Sequence, residues 1–111
     1  MCTKLQLNRI TKEVARGAKD VLGDKLFKVI LYGSYARGDY RETSDIDLLI
    51  LLDINREKLT YSEKFKITSP IYDIGLETDT LISPKIYSKI GWARHRVTPY
   101  YENVNKEGII L

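Results

Sequence analysis

The sequence predicts an α/β (α+β) fold: one domain, residues 1–111, in which a small mixed β-sheet is flanked by helices. Three observations lead there. The chain has 111 residues, one domain's worth. Two short runs rich in branched and aromatic residues, 25–32 and 45–53, read as strands. Stretches with apolar residues at helical spacing surround them and a third strand at 80–88, so that the order reads α-β-α-β-α-β-α.

Each element has its own signal. Residues 5–22 place Ile10, Val14, Ala18 and Val21 at helical spacing with Lys and Arg between them, and Gly23 follows as a stop. The strand at 25–32 runs straight into Gly33-Ser34. Residues 35–38 have room for a short helix, and 39–44 read as polar loop. In the strand at 45–53 the apolar run Leu48–Leu52 is unbroken, which predicts burial on both faces. Residues 55–77 read as helix, with Leu59, Ile67, Ile71 and Ile74 on one side and Pro70 expected to kink or split it. Asp53 then reads as an N-cap for that helix. A third strand is expected over 80–88, placed at an edge or bulged by Pro84. Thr98-Pro99 is an N-cap and first-turn pair for a last helix ending near Gly108. The closing Ile-Ile-Leu reads as a tail or a short apolar contact. Internal repeats, low-complexity tracts and Pro/Ser-rich linkers are absent from the sequence.

Composition narrows the function classes. Hydrophobic residues at 43% suffice for a single core, and a mean hydropathy of −0.28 is that of an ordinary soluble chain. A formal charge of +3 tolerates an anionic ligand but falls short of a nucleic-acid groove, so long nucleic acid is not an expected partner. The single cysteine, Cys2, excludes an intramolecular disulfide and reads as inert; with only one histidine, His95, a Cys/His zinc site is not expected. No apolar run has the length of a membrane span and the N-terminus has no signal-like apolar region, so the expectation is a cytoplasmic protein without a membrane partner.

The chemistry concentrates between Gly33 and Asp47. Asp45 and Asp47 stand at i and i+2 of a predicted strand, so both carboxylates leave the same face, with Cα atoms roughly 6–7 Å apart. Two unpaired carboxylates on one face repel each other. A bound Mg²⁺ resolves that conflict and keeps positions open for phosphate oxygens and water. Two such ions about 4 Å apart can clamp the attacking and leaving oxygens of a nucleotidyl transfer. Gly33-Ser34 lies at a strand-to-helix turn, where glycine lets an anion approach the backbone and the Ser34 hydroxyl adds a donor. Together the two halves suggest a nucleoside triphosphate held by metal on one side and by backbone on the other.

Gly33, Ser34, Ala36, Arg37, Gly38, Ser44, Asp45, Asp47 and Leu48 match the pattern Gly-Ser-x-Ala-Arg-Gly followed by Ser-Asp-x-Asp-Leu. This resembles the signature of the DNA-polymerase-β-like nucleotidyltransferase superfamily, and in particular its minimal members, the MNT antitoxins encoded beside HEPN-domain toxins. The resemblance implies the polymerase-β-type fold and an enzyme: a nucleotidyltransferase that moves a nucleoside monophosphate, AMP from ATP, to a hydroxyl and releases pyrophosphate. It implies Mg²⁺, two ions, on Asp45, Asp47 and a third carboxylate from the next strand, which acts as or supports the general base. Asp79 is the first choice for that third ligand, with Asp73 and Glu77 as competitors on helix. Gly33, Ser34, Arg37 and Ser44 are the implied nucleotide-binding residues, Arg37 with the alternative of pairing with a neighbouring acid such as Asp39. It further implies a HEPN-type toxin as partner, modified on a tyrosine, with homo- or hetero-oligomers open. The alternatives are a catalytically inactive module of the same fold that neutralises its partner by contact, and nucleotidyl transfer to a small molecule. His95, between Arg94 and Arg96, reads as part of a solvated basic turn, and Trp92, Tyr100 and Tyr101 as core or interface anchors.

Overall fold

Thr3 starts the first helix, α1 (Lys4–Leu22): its hydroxyl accepts the Gln6 amide while the Gln6 side chain accepts the Thr3 amide. That reciprocal box satisfies two of the donors every helix start leaves over. A computed structural model describes residues 3–111; Cys2 lies outside the described residues. Leu7, Ile10, Val14 and Ala18 form the buried stripe of α1, and Val21, expected within it, is exposed.

Strand β1 (Leu26–Tyr32) leads into a single helical turn, α2 (Ser34–Arg37), and then to β2 (Ile46–Leu52). The chain continues through α3 (Tyr61–Thr78), β3 (Ile82–Ser88), α4 (Lys89–Ala93), α5 (Pro99–Glu107) and β4 (Ile109–Ile110). The sheet order is β3-β2-β1-β4. β1 is antiparallel to β2 and β4, and β2 is parallel to β3, so the sheet is mixed. Pro84 sits on edge strand β3, where its missing N–H does least harm.

Three expectations change. α3 begins at Tyr61, not at 55, because Thr60 and Glu63 form a second capping box; Asp53 caps no helix and lies near Lys89 instead. α3 also runs unbroken through Pro70, whose exposed position leaves the freed carbonyl open to water. The apolar residues that blurred its start lie on its outer side: Tyr61, Phe65, Tyr72 and Leu76 are all exposed. Third, α4 and β4 are additional elements. Ser88 builds α4 by accepting the Gly91 amide while donating to the Glu57 carbonyl, and β4 turns the expected tail into a strand beside β1.

Both faces of the sheet are covered. Ile46, Leu48, Ile50 and Leu52 of β2 face α1 and α3, packing with Val14, Ile67 and Ile71. Leu49 and Leu51 face the other way, under Trp92 and Val104. This is the two-faced burial expected of the unbroken run. Among the described residues, no helix is long and apolar enough to cross a membrane.

Candidate active site at the Gly33 turn

Asp47 opens β2 on the face that carries Leu49 and Leu51, and its cross-strand partner is Tyr32, the last residue of β1. The chain must turn sharply immediately after Tyr32. Gly33 does this with φ +77° and ψ −157°, a region essentially restricted to glycine. Its open side is filled by Asp47. A Cβ built on Gly33 would run into the Asp47 carboxylate, with Cγ at 3.2 Å and the nearer Oδ2 closer still. The Gly33 turn and the Asp47 carboxylate are therefore in direct contact, although they stand fourteen positions apart in sequence.

Asp47 is half-buried. Burial, and after it the charge of Asp45, pushes its carboxyl above the ordinary aspartate range, while Lys85 and Arg37 pull the other way. Asp45 stands two residues earlier and is exposed. Helix α5 frames the turn from two sides. Tyr100 donates to the Tyr32 hydroxyl at 3.2 Å, and Glu107 accepts from Arg37 at 3.0 Å. Burial raises the pKa of both tyrosines, so both stay protonated at neutral pH.

The other expected nucleotide ligands take more local positions. Ser34 opens α2, and its carbonyl accepts from Gly38 and Asp39, which closes the turn. Arg37 pairs with Asp39 at 3.1 Å as well as with Glu107. Ser44 closes the 41–44 turn, its hydroxyl accepting the Arg41 amide at 2.8 Å.

The third carboxylate is where the sequence expectation and the structure part. Asp79 is not a strand residue: it caps the C-terminus of α3 in the left-handed conformation, φ 51°. Asp73 and Glu77 are exposed on α3. All three belong to the layer that packs on the Ile82 and Ile86 face of the sheet, and Asp47 leaves from the opposite face. Among the described residues, no three His, Cys, Asp or Glu side chains gather so as to hold a metal ion. The residue in register with Asp47 on β3 is Ser83, and the next on that face is Lys85.

The sequence profile of the family described as "Nucleotidyltransferase domain" matches residues 11–107. The chain belongs to that family. A "putative protein adenylyltransferase" of Methanocaldococcus jannaschii is 47% identical over 85 residues, covering 77% of this chain and 83% of the relative. A second, from the same organism, is 34% identical over 102 residues, covering 90% and 92%. Two crystal structures share the fold at a TM-score of 0.61 and 20% identity. One is of the toxin–antitoxin pair MntA-HpeT in a mutant form, covering 91% of this chain and 70% of that one. The other is of a "putative nucleotidyltransferase" from Sulfolobus solfataricus, covering 92% and 76%.

In this nucleotidyltransferase, Asp45 and Asp47 fit a divalent cation by the chemistry of their donors. They are hard oxygen ligands two residues apart, Asp45 just outside β2 and not on the strand as expected, mutually repelling, with no arginine or lysine salt bridge to neutralise them among the described residues. His95 is a residue the sequence reading misplaced. It is half-buried within a ring cluster, edge-on to Tyr87 at 4.9 Å and tilted against Trp92 at 5.8 Å. Trp92, stacked on Tyr101 at 4.9 Å, is the core anchor it was expected to be. Tyr32 was not singled out by sequence. The signal was available: in an antiparallel hairpin its register puts it beside Asp47.

Proposed function

We propose that this nucleotidyltransferase moves AMP from ATP, with Mg²⁺, to a tyrosine hydroxyl of a partner toxin of the HEPN type, and so acts as an antitoxin in the cytoplasm. The observation that carries the nucleotide reading is the contact between the Gly33 turn and the Asp47 carboxylate. It joins an anion-accepting backbone to a metal-ligand pair within one small site. The divalent cation, held by Asp45 and Asp47, would supply charge neutralisation at the phosphates. The acceptor oxygen bonds to the α-phosphorus, the bond to the bridging oxygen of the β-phosphate breaks, and pyrophosphate leaves with the electron pair. The hydroxyl proton passes to water: among the described residues no third carboxylate gathers with the Asp45–Asp47 pair.

The protein acceptor is supported by two things. Relatives bear the name protein adenylyltransferase, and a structural neighbour comes from a toxin–antitoxin pair. The test is incubation with labelled ATP, Mg²⁺ and the product of the adjacent gene. Label is expected on a partner tyrosine; none on the partner, with intact protein and several nucleotides tried, refutes the transfer. A second reading, contact-only neutralisation, is favoured by the lack, among the described residues, of a third acid gathered with Asp45 and Asp47 to hold a metal ion. It requires the Asp45→Ala, Asp47→Ala double variant to protect cells as well as the parent does.

A further inference from the structure

The strip of sheet beside Asp47 contains an unassigned cation. On β3, Ser83 pairs in register with Asp47, and Lys85 is the next residue on the same face. That face is fixed by Tyr87, two residues on, which packs with Leu49 and Leu51. Neighbouring strands are about 4.8 Å apart and residues two apart on one strand about 7 Å, so an extended lysine side chain spans the distance back to the Asp47 carboxylate. Two cations act on Asp47. Arg37 is engaged by Asp39 and Glu107, whereas Lys85 is exposed and in no ion pair among the described residues.

We propose that Lys85 contacts the triphosphate directly and that, with Ser83 in the register position beside Asp47, it replaces a third carboxylate, so that the site works with one divalent cation instead of two. The inference rests on the nucleotidyltransferase reading above. Its physical basis is charge balance. A third carboxylate together with the second dication it holds carries one net positive charge, and so does a lysine ammonium. The exchange leaves the net charge beside the phosphates unchanged while removing one metal site. It also turns a site that would need three converging acids into one that needs two, which is what Asp45 and Asp47 supply. The ammonium is a point charge on a flexible stem, suited to non-bridging phosphate oxygens.

The experiment counts ions and measures nucleotide affinity without turnover. Bound Mn²⁺ is titrated by electron paramagnetic resonance in the presence of a non-hydrolysable ATP analogue. The parent is expected to bind one ion per chain in the nucleotide complex, and Ser83→Asp to gain a second, weaker one. Lys85→Ala is expected to weaken the analogue by about tenfold or more, the usual scale for a lost charge-assisted contact, with Lys85→Arg retaining most of the affinity. Because Lys85 is exposed, its two variants should melt with the parent, which separates contact from folding. Two Mn²⁺ ions in the parent complex, or Lys85→Ala within twofold of the parent, overturns the inference and leaves the nucleotidyltransferase reading intact. A parent that binds no nucleotide overturns both.

Discussion

Replacing Gly33 by alanine should damage stability and nucleotide binding together, and the two effects can be separated. At φ +77° and ψ −157°, Gly33 occupies backbone space that an L-residue enters only under strain, at a cost of about 1–3 kcal/mol. The new Cβ must also displace the Asp47 carboxylate, whose Cγ lies 3.2 Å away and whose nearer oxygen is closer. Together these give a loss of about 3 kcal/mol. For a domain of this size that is a fall in Tm of roughly 10–15 °C. Gly38 supplies the control. It too has positive φ, +88°, but a Cβ there meets nothing within 4 Å, so Gly38→Ala carries only backbone strain, about 1–2 kcal/mol. Thermal unfolding ranks the two variants, and calorimetric titration of a non-hydrolysable ATP analogue with Mg²⁺ reads the site at a temperature where both are folded. Gly33→Ala is expected to lose nucleotide binding while Gly38→Ala keeps most of it. If Gly33→Ala binds nucleotide like the parent, the coupling between turn and carboxylate is refuted.

Asp47→Asn removes a carboxylate whose pKa is raised in the folded state. Such a group favours the protonated fold, so it lowers stability progressively as pH rises from the ordinary aspartate value through the raised one, and fully above that. The metal-free variant should therefore melt higher than the parent near neutral pH, with the gap closing as pH falls towards about 4; unchanged melting at neutral pH contradicts this. Thr60→Ala breaks the box that starts α3 and should cost about 1 kcal/mol in denaturant unfolding, without changing nucleotide affinity. Trp92→Ala empties the centre of the smaller core beneath α5 and should cost about 3–5 kcal/mol by the same measurement; a loss below about 1 kcal/mol would show that the aromatic cluster is not a core.

The parts of this fold that sequence reveals are those governed by local periodicity and by residues with unusual backbones. The buried run of β2, the stripe of α1 and the edge position of Pro84 all follow from patterns within one element. The start of α3 was missed because its outer side is nearly as apolar as its inner one, so periodicity could not locate the end that the Thr60–Glu63 pair defines. At the site, Gly33 and Asp47 were legible because a glycine turn and an alternating acid pair each encode a geometry. That none of Asp73, Glu77 and Asp79 reaches Asp47 is not legible in sequence, since it depends on which face of the sheet α3 covers. Ser83 and Lys85 become visible only through the parallel register of β3 with β2, a long-range pairing that short strands do not announce.

The central claim is that Gly33 and the Asp45–Asp47 pair form one metal-dependent triphosphate site. Its most direct test is calorimetric titration of ATP into the parent and into the Asp45→Ala, Asp47→Ala double variant, each with Mg²⁺ and with EDTA. Binding should occur only for the parent with Mg²⁺ and disappear with either the chelator or the double substitution. Binding that survives the loss of both aspartates, or a folded parent that takes up no nucleoside triphosphate at all, would contradict it.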